Sequence, residues 1–150
     1  MTATAGVEFR QIEGGDNQTN PVVGVGATFT PFHATTLNLD AYRRLRPSSV
    51  FPDANYTVTG VVLSLRQRLL QKYYFVLGGG YEASDYNSIV RDGSSLSRDD
   101  DYFFVRPSLE FRFRERYLVE FYYEHRNNDS NIADFGFENN RTGFKLSVAL

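Results

Sequence analysis

The sequence predicts an all-β protein, an eight-stranded antiparallel up-and-down transmembrane β-barrel that forms a single domain over residues 1–150. Three observations support this fold class: a period of two residues that recurs eight times, strands of unusual length, and connections that alternate between short and long. The clearest stretch is residues 101–114, DYFFVRPSLEFRFR. Phe103, Leu109 and Phe111 lie on one side of this predicted strand, whereas Arg106 and Glu110 lie on the other.

Eight segments show this alternation, at about Thr2–Glu13, Pro21–Thr30, Thr36–Arg46, Tyr56–Leu70, Tyr73–Asp85, Asp101–Arg114, Tyr117–Arg126 and Asn140–Leu150. Such segments match the ~9–11 residues that a tilted strand needs to cross a bilayer, whereas strands in soluble sheets more often have about 5–6. Short connections are predicted at Pro31–Thr35, Gln71–Lys72 and Glu115–Arg116, and long ones at Gly14–Asn20, Pro47–Asn55, Tyr86–Asp100 and Asn127–Asn139. All the short turns therefore fall at one end of the meander, as in outer-membrane barrels.

The glycine pattern indicates which side of the sheet faces inward. Six glycines share the polar side with large charged and aromatic residues: Gly6, Gly24, Gly26, Gly60, Gly78 and Gly80. A water-facing strand has no reason to prefer glycine, whereas a narrow barrel interior is filled by placing small residues against large ones. The pattern favours a membrane barrel with its apolar side towards lipid over a soluble lipocalin-like barrel that binds an apolar ligand.

The inward charges are the main chemical feature of the predicted barrel. We expect a lumen charge network formed by Glu8, Arg10, Asp40, Arg44, Arg66, Arg68, Glu82, Arg106, Glu110, Arg112, Arg114, Glu120, Glu124, Arg126 and Lys145, with Arg46 beside them. In an isolated eight-stranded barrel these side chains would fill the interior and pair with one another. In a wider pore the same arginines would form a constriction that attracts anions.

Other function classes find little support. The net charge of −2 gives no electrostatic case for nucleic acid. The two histidines, His33 and His125, lie at opposite ends of the predicted barrel, so no catalytic residues are proposed and the protein is predicted not to be an enzyme. No cofactor and no metal are expected, and the acidic run Asp99–Asp101 is interpreted as a solvated loop, with divalent ions that bridge lipopolysaccharide as the alternative.

Several stretches also resemble a known family. They are GYEASDY at Gly80–Tyr86, RDDDYFFVRPSLEFRF at Arg98–Phe113, FGFENNRTGFKLSVAL at Phe135–Leu150 and LDAYRRLRPS at Leu39–Ser48. Together they resemble the C-terminal part of the putative β-barrel porin type 2 family of Gram-negative outer membranes. The end of the chain resembles the insertion signal that the barrel-assembly machinery reads, with the residues Gly143, Phe144, Leu146, Val148 and Leu150.

The resemblance implies an integral protein of the bacterial outer membrane that contacts membrane lipid, lipopolysaccharide and the barrel-assembly machinery. We expect a monomer with periplasmic termini and a structural or anchoring role, without an open pore of its own. Two alternatives stay open at this point: a channel-forming part of a larger porin, and the soluble lipocalin-like barrel.

Overall fold

The computed structural model describes residues 2–10, 18–47, 55–91, 94–114 and 116–148. Its strands are β1 Thr2–Arg10, β2 Gln18–Phe32, β3 Thr35–Pro47, β4 Asn55–Leu70, β5 Tyr73–Arg91, β6 Ser94–Phe113, β7 Tyr117–Ser130 and β8 Phe137–Val148. A 3-10 turn at Ala133–Phe135 precedes β8. Within the described ranges, no helix is long and apolar enough to span a membrane.

The strands form one antiparallel sheet in chain order, from β1 to β8. Each strand pairs only with its neighbours in sequence, which confirms the predicted all-β, up-and-down arrangement. β1 and β8 are the two edges of the sheet, and the described residues show no pairing between them. The sheet is therefore open at both edges in this structure, and the predicted closure into a barrel is not observed.

Two hairpins are longer than the sequence predicts. Residues 86–91 and 94–100 were expected to form a loop, but they extend β5 and β6, with Tyr86 opposite Arg98 and Ile89 opposite Leu96. Apolar alternation stops near Asp85, so the pattern gave no signal for these residues. Cross-strand contacts instead extend the ladder: the Tyr86 ring stacks on Tyr56 with centroids 4.3 Å apart, and aromatic pairs of this kind stabilise sheets.

The connection predicted at Asn127–Asn139 is also shorter than expected. β7 continues to Ser130 and β8 begins at Phe137, so only residues 131–136 connect them. Asn131 ties this connection to β6, because its amide N–H donates to the Asp99 carbonyl at 3.2 Å and its side-chain oxygen accepts from the Asp99 N–H at 3.1 Å. The parts of Gly14–Asn20 and Pro47–Asn55 between the strands, residues 14–17 and 48–54, lie outside the described residues.

Register assigns the side chains to two faces. The apolar face holds a continuous row from β5 to β8, with Phe75 opposite Leu109, Leu109 opposite Phe121, and Phe121 opposite Phe144. These side chains are largely exposed, with Leu109 at 55%, Phe121 at 61% and Phe144 at 74%. Among the described residues only Leu45 and Val58 are buried apolar side chains. A soluble protein rarely exposes so large a contiguous apolar surface.

The opposite surface, the polar face, carries the charged side chains. Directly opposed residues there include Asp40 and Val62, Gly60 and Glu82, and Glu120 and Lys145. The alternation of the sequence therefore separates the two faces as predicted, because successive side chains of a strand point to opposite sides of the sheet.

Pro107 interrupts the ladder between β6 and β7. Pairing stops at Val105 opposite His125 and resumes at Ser108 opposite Tyr122 without a change of register. Proline has no N–H to donate, so it removes a ladder hydrogen bond from a central strand. A shallow, mostly apolar groove of about 560 Å³ lies beside this gap, and its lining includes Phe75, Pro107, Leu109, Phe121 and Phe144.

Small residues do pack against large ones on the polar face. A Cβ atom added to Gly60 would lie 2.9 Å from the Tyr42 ring, and one added to Gly80 would lie 2.6 Å from the Phe104 ring. A Cβ atom on Gly143 would come within 2.7 Å of the Tyr122 hydroxyl. The predicted pairing of small and large residues is thus present here, because each glycine allows an aromatic ring of the next strand to lie over the backbone.

Gly80→Ala is expected to destabilise the fold by about 1–3 kcal/mol, the usual cost of forcing extra volume into a packed site. The new methyl group would also lie 3.1 Å from the Val61 carbonyl oxygen, which the backbone holds in place. Urea unfolding followed by circular dichroism measures the effect. Gly24→Ala is the matched control, because a Cβ atom there would meet no atom of the described residues within 4 Å; equal losses in both variants would contradict the packing argument.

Candidate functional site: the polar face

Most of the predicted lumen residues lie together on the polar face. The register places on it Asp40, Arg44, Arg66, Arg68, Glu82, Arg106, Glu110, Arg112, Glu120, Glu124, Arg126 and Lys145. The side chains of Glu8 and Arg10 lie outside the described part of the chain.

Arg114 does not belong to the polar face, so the prediction for this residue is wrong. β6 ends at Phe113, and Arg114 lies in the turn with a φ of 51°. The turn breaks the two-residue period, and the Arg114 guanidinium lies 5.1 Å from the centre of the Phe113 ring, which belongs to the apolar face.

Glu82 on β5 is the centre of a first cluster. Two nitrogens of the Arg46 guanidinium donate to its two carboxylate oxygens at 3.3 Å and 3.2 Å, and the Tyr42 hydroxyl donates to one of them. Arg44 lies 3.9 Å from the same carboxylate and stacks on the Tyr42 ring at 4.1 Å. Gly60, between Tyr42 and Glu82, leaves the space that this contact occupies.

Glu110 on β6 is the centre of a second cluster with the same parts. The Arg66 guanidinium makes a bidentate ion pair with the Glu110 carboxylate. Arg66 also stacks on the Tyr74 ring at 4.5 Å, and Arg112 approaches that ring at 5.2 Å. Bidentate pairs between arginine and a carboxylate hold the guanidinium in one orientation, so Arg66 is committed to Glu110.

Glu124 on β7 joins three arginines in a third cluster. Its carboxylate lies 3.2 Å from Arg126, 3.2 Å from Arg141 and 3.8 Å from Arg106, and its side chain is only 11% exposed. Arg106 also pairs with Glu120 at 2.9 Å and stacks on the Tyr122 ring at 4.3 Å. The Nε atoms of Arg106 and Arg126 are buried and make no hydrogen bond among the described residues.

The sequence predicts direct contacts among Glu110, Glu120, Arg112 and Tyr122, and the structure refines them. Glu110 lies directly opposite Glu120, and Arg112 lies opposite Leu118. Arg106, rather than Arg112, is the arginine that contacts both Glu120 and Tyr122. The diagonal contact relieves the repulsion that two carboxylates in direct opposition would otherwise cause.

The β5–β6 hairpin carries a fourth ion pair near its long-loop end, where the apolar alternation of the sequence has stopped. Arg98 donates to Asp100 through Nε at 2.9 Å and through a second nitrogen, and it stacks on the rings of Tyr86 and Phe135. Burial alone would raise the pKa of Asp100, but hydrogen bonds from Arg98, Ser130 and Asn128 lower it below the usual value. This pair therefore braces the long-loop end of the hairpin.

Sequence reasoning missed Arg98, Asp100 and Arg141 as members of the polar face. Arg98 and Asp100 were assigned to a loop, because apolar alternation does not reach them. Arg141 could have been found, since positions 141 and 145 share one side of β8 and Lys145 is predicted to face the lumen.

The remaining candidates do not assemble into a site. Asp99 and Asp101 lie on the side of β6 opposite to Asp100, and no group of three potential metal ligands occurs within the described ranges. The predicted insertion-signal residues Phe144, Leu146 and Val148 are exposed on the apolar face, Gly143 lies on the polar face, and Leu150 is outside the described residues.

An all-β meander with one apolar and one charged face is the architecture of a porin wall, and a comparison of the sequence with protein families agrees. The family model described as Putative beta-barrel porin 2 matches residues 22–150. The chain belongs to this family. No curated protein and no solved structure matches the chain.

For a member of this porin family, the charge balance of the polar face has a chemical consequence. Its cations are Arg44, Arg46, Arg66, Arg68, Arg98, Arg106, Arg112, Arg126, Arg141 and Lys145, whereas its anions are Asp40, Glu82, Asp100, Glu110, Glu120 and Glu124. The described side chains of this face therefore carry an excess of positive charge. A water-filled space beside it would attract anions.

Proposed function

We propose that the chain forms the wall of an outer-membrane porin, with the apolar face towards lipid and the polar face towards an aqueous interior. The observation that carries this proposal is the separation of the two faces. Leu109, Phe121 and Phe144 are more than half exposed on one side, while the ion pairs of Glu82, Glu110 and Glu124 lie on the other. The short-turn end would then be periplasmic, as in other barrels of this class.

The free-energy cost of placing a charged side chain in lipid supports this orientation, and the exposed apolar face argues against the soluble alternative. Placing an arginine on the lipid side costs about 2–4 kcal/mol near the midplane of the bilayer. If the sheet were reversed, Arg66, Arg106 and Arg112 would all face lipid. In water, by contrast, the exposed apolar face would promote aggregation.

The exposure of the arginine side chains on the polar face favours a conducting wall over a filled interior. The side chains of Arg44, Arg66 and Arg106 are 45%, 32% and 36% exposed, and the described residues of the edge strands β1 and β8 do not pair with each other. Eight strands closed on themselves are just filled by their side chains, whereas porins of about 16–18 strands leave a channel. We therefore propose that the barrel is wider than eight strands of one chain would make it.

A closed, poreless barrel with a structural or anchoring role is the second candidate. The Glu124 cluster favours it, because one largely buried carboxylate there holds three arginines of β6, β7 and β8. A network of this density is what the interior of a plugged barrel requires. In both candidates the protein contacts lipid and lipopolysaccharide, and the barrel-assembly machinery inserts it.

Planar-bilayer recording of the detergent-purified full chain tests the proposal. We expect discrete, long-lived conductance steps, together with slower gel migration after boiling, because a closed β-barrel resists unfolding by cold detergent. Heat-modifiable migration without conductance would select the poreless barrel instead. A protein that stays monomeric in buffer without detergent would overturn both candidates and support the soluble barrel.

A further inference from the structure

One row of directly opposed residues crosses the polar face near the short-turn end. It runs from β4 to β8 through Arg68, Tyr74, Glu110, Glu120 and Lys145. The register places neighbouring members of this row on the same side of the sheet, with Cβ atoms about 4.5–5.5 Å apart. The row therefore brings two cations, two anions and one aromatic ring together.

The two anions of this row already have partners. Glu110 is held by the bidentate pair with Arg66, and Glu120 by Arg106 at 2.9 Å. Their side chains are only 11% and 14% exposed. Both arginines reach in diagonally from outside the row, so the carboxylates are neutralised without using any cation of the row itself.

Arg68 and Arg112 are consequently left without an acidic partner among the described side chains. Both are exposed, and both lie beside Tyr74: Arg68 is directly opposite it on β4, and the Arg112 guanidinium lies 5.2 Å from the ring centre. The Arg66 guanidinium lies 4.5 Å from the centre of the same ring. The ring attracts the guanidinium groups of Arg66 and Arg112 by cation–π interaction, whereas Arg68 is placed beside Tyr74 by the strand register.

We propose that Arg68, Arg112 and Tyr74 form an anion-binding site, the Tyr74 site, that takes multivalent solutes bearing phosphate or carboxylate groups. It rests on the proposed function, in which the polar face meets the aqueous interior. A planar guanidinium offers paired N–H donors that match two oxygens of a phosphate or carboxylate. Two such groups on β4 and β6, the strands that flank Tyr74, favour a solute with two anionic groups over a monovalent ion.

Calorimetric titration of the detergent-solubilised full chain with inorganic pyrophosphate or with citrate tests the site without requiring conduction. We expect wild-type protein to bind at low salt. Arg68→Gln/Arg112→Gln should weaken binding about tenfold or more, because two charge-assisted contacts are lost. A preference for pyrophosphate over citrate, or the reverse, identifies which of the two oxyanion classes the site takes.

Arg44→Gln/Arg141→Gln is the matched control. It removes the same charge from the same face, at residues that are 45% and 51% exposed and distant from Tyr74 in the register. Equal weakening by both double variants would overturn the site and leave only a general attraction of the face. Failure of the wild-type protein to bind either probe would also overturn it. Normal binding with no conductance in bilayers would refute the pore and retain the site.

Discussion

Leu109→Arg is expected to lower the free energy of unfolding of the membrane-inserted protein by about 2–4 kcal/mol. Leu109 is 55% exposed on the apolar face, between Phe75 on β5 and Phe121 on β7. An arginine there would meet hydrocarbon with no carboxylate beside it. Urea titration of protein refolded into liposomes, with heat-modifiable gel migration as the measure of insertion, gives the change.

The control for this variant must carry the same arginine at a similar depth on the polar face. Ser108→Arg suggests itself from the sequence, but Ser108 is only 5% exposed and cannot accommodate the larger side chain. Thr28→Arg is the better match, because Thr28 is exposed on the polar face. Successive cross-strand pairs lead from Thr28 through Asn38 to Arg106 on β6, so Thr28 lies at a depth similar to that of Arg106. If Thr28→Arg impaired insertion as much as Leu109→Arg, the two faces would be assigned the wrong way round.

Glu124→Gln is expected to cost about 2–3 kcal/mol, less than the ~3–5 kcal/mol lost when a fully buried ion pair is broken. It would leave Arg106, Arg126 and Arg141 around a neutral amide. The cost is reduced because these arginines are 36%, 31% and 51% exposed, so that water solvates part of each charge. The urea midpoint in liposomes measures the loss.

Two further variants test the origin of that loss. Glu138→Gln removes a carboxylate that is 66% exposed on the other face, and its effect should be within about 0.5 kcal/mol. Glu124→Gln/Arg126→Gln should cost less than the sum of the two single changes, because both remove one interaction. Strict additivity in this cycle would show that Glu124 and Arg126 are not coupled.

The order and pairing of the strands could be predicted from the sequence because they depend on local rules. Alternation in DYFFVRPSLEFRFR places Leu109 and Arg112 on opposite sides of β6 whatever the partner strands are. Short polar connections such as Gln71–Lys72 allow only an antiparallel neighbour. The same rules failed at Arg114, where the turn breaks the period, and at Arg98 and Asp100, where strand pairing continues beyond the apolar pattern.

The contacts of the polar face depended on the tertiary structure. Alternation placed Glu110, Glu120, Arg106 and Arg112 on one face, but the register decided that Arg106 rather than Arg112 would pair with Glu120. The reach of long side chains across two strands then decided that Arg66 would neutralise Glu110. The face on which a side chain lies depends on its own strand alone. The ion-pair partner of that side chain depends on the register between several strands. For this reason the sequence determined most of the residues that line the polar face, and the fold decided which arginines have no acidic partner among the described side chains.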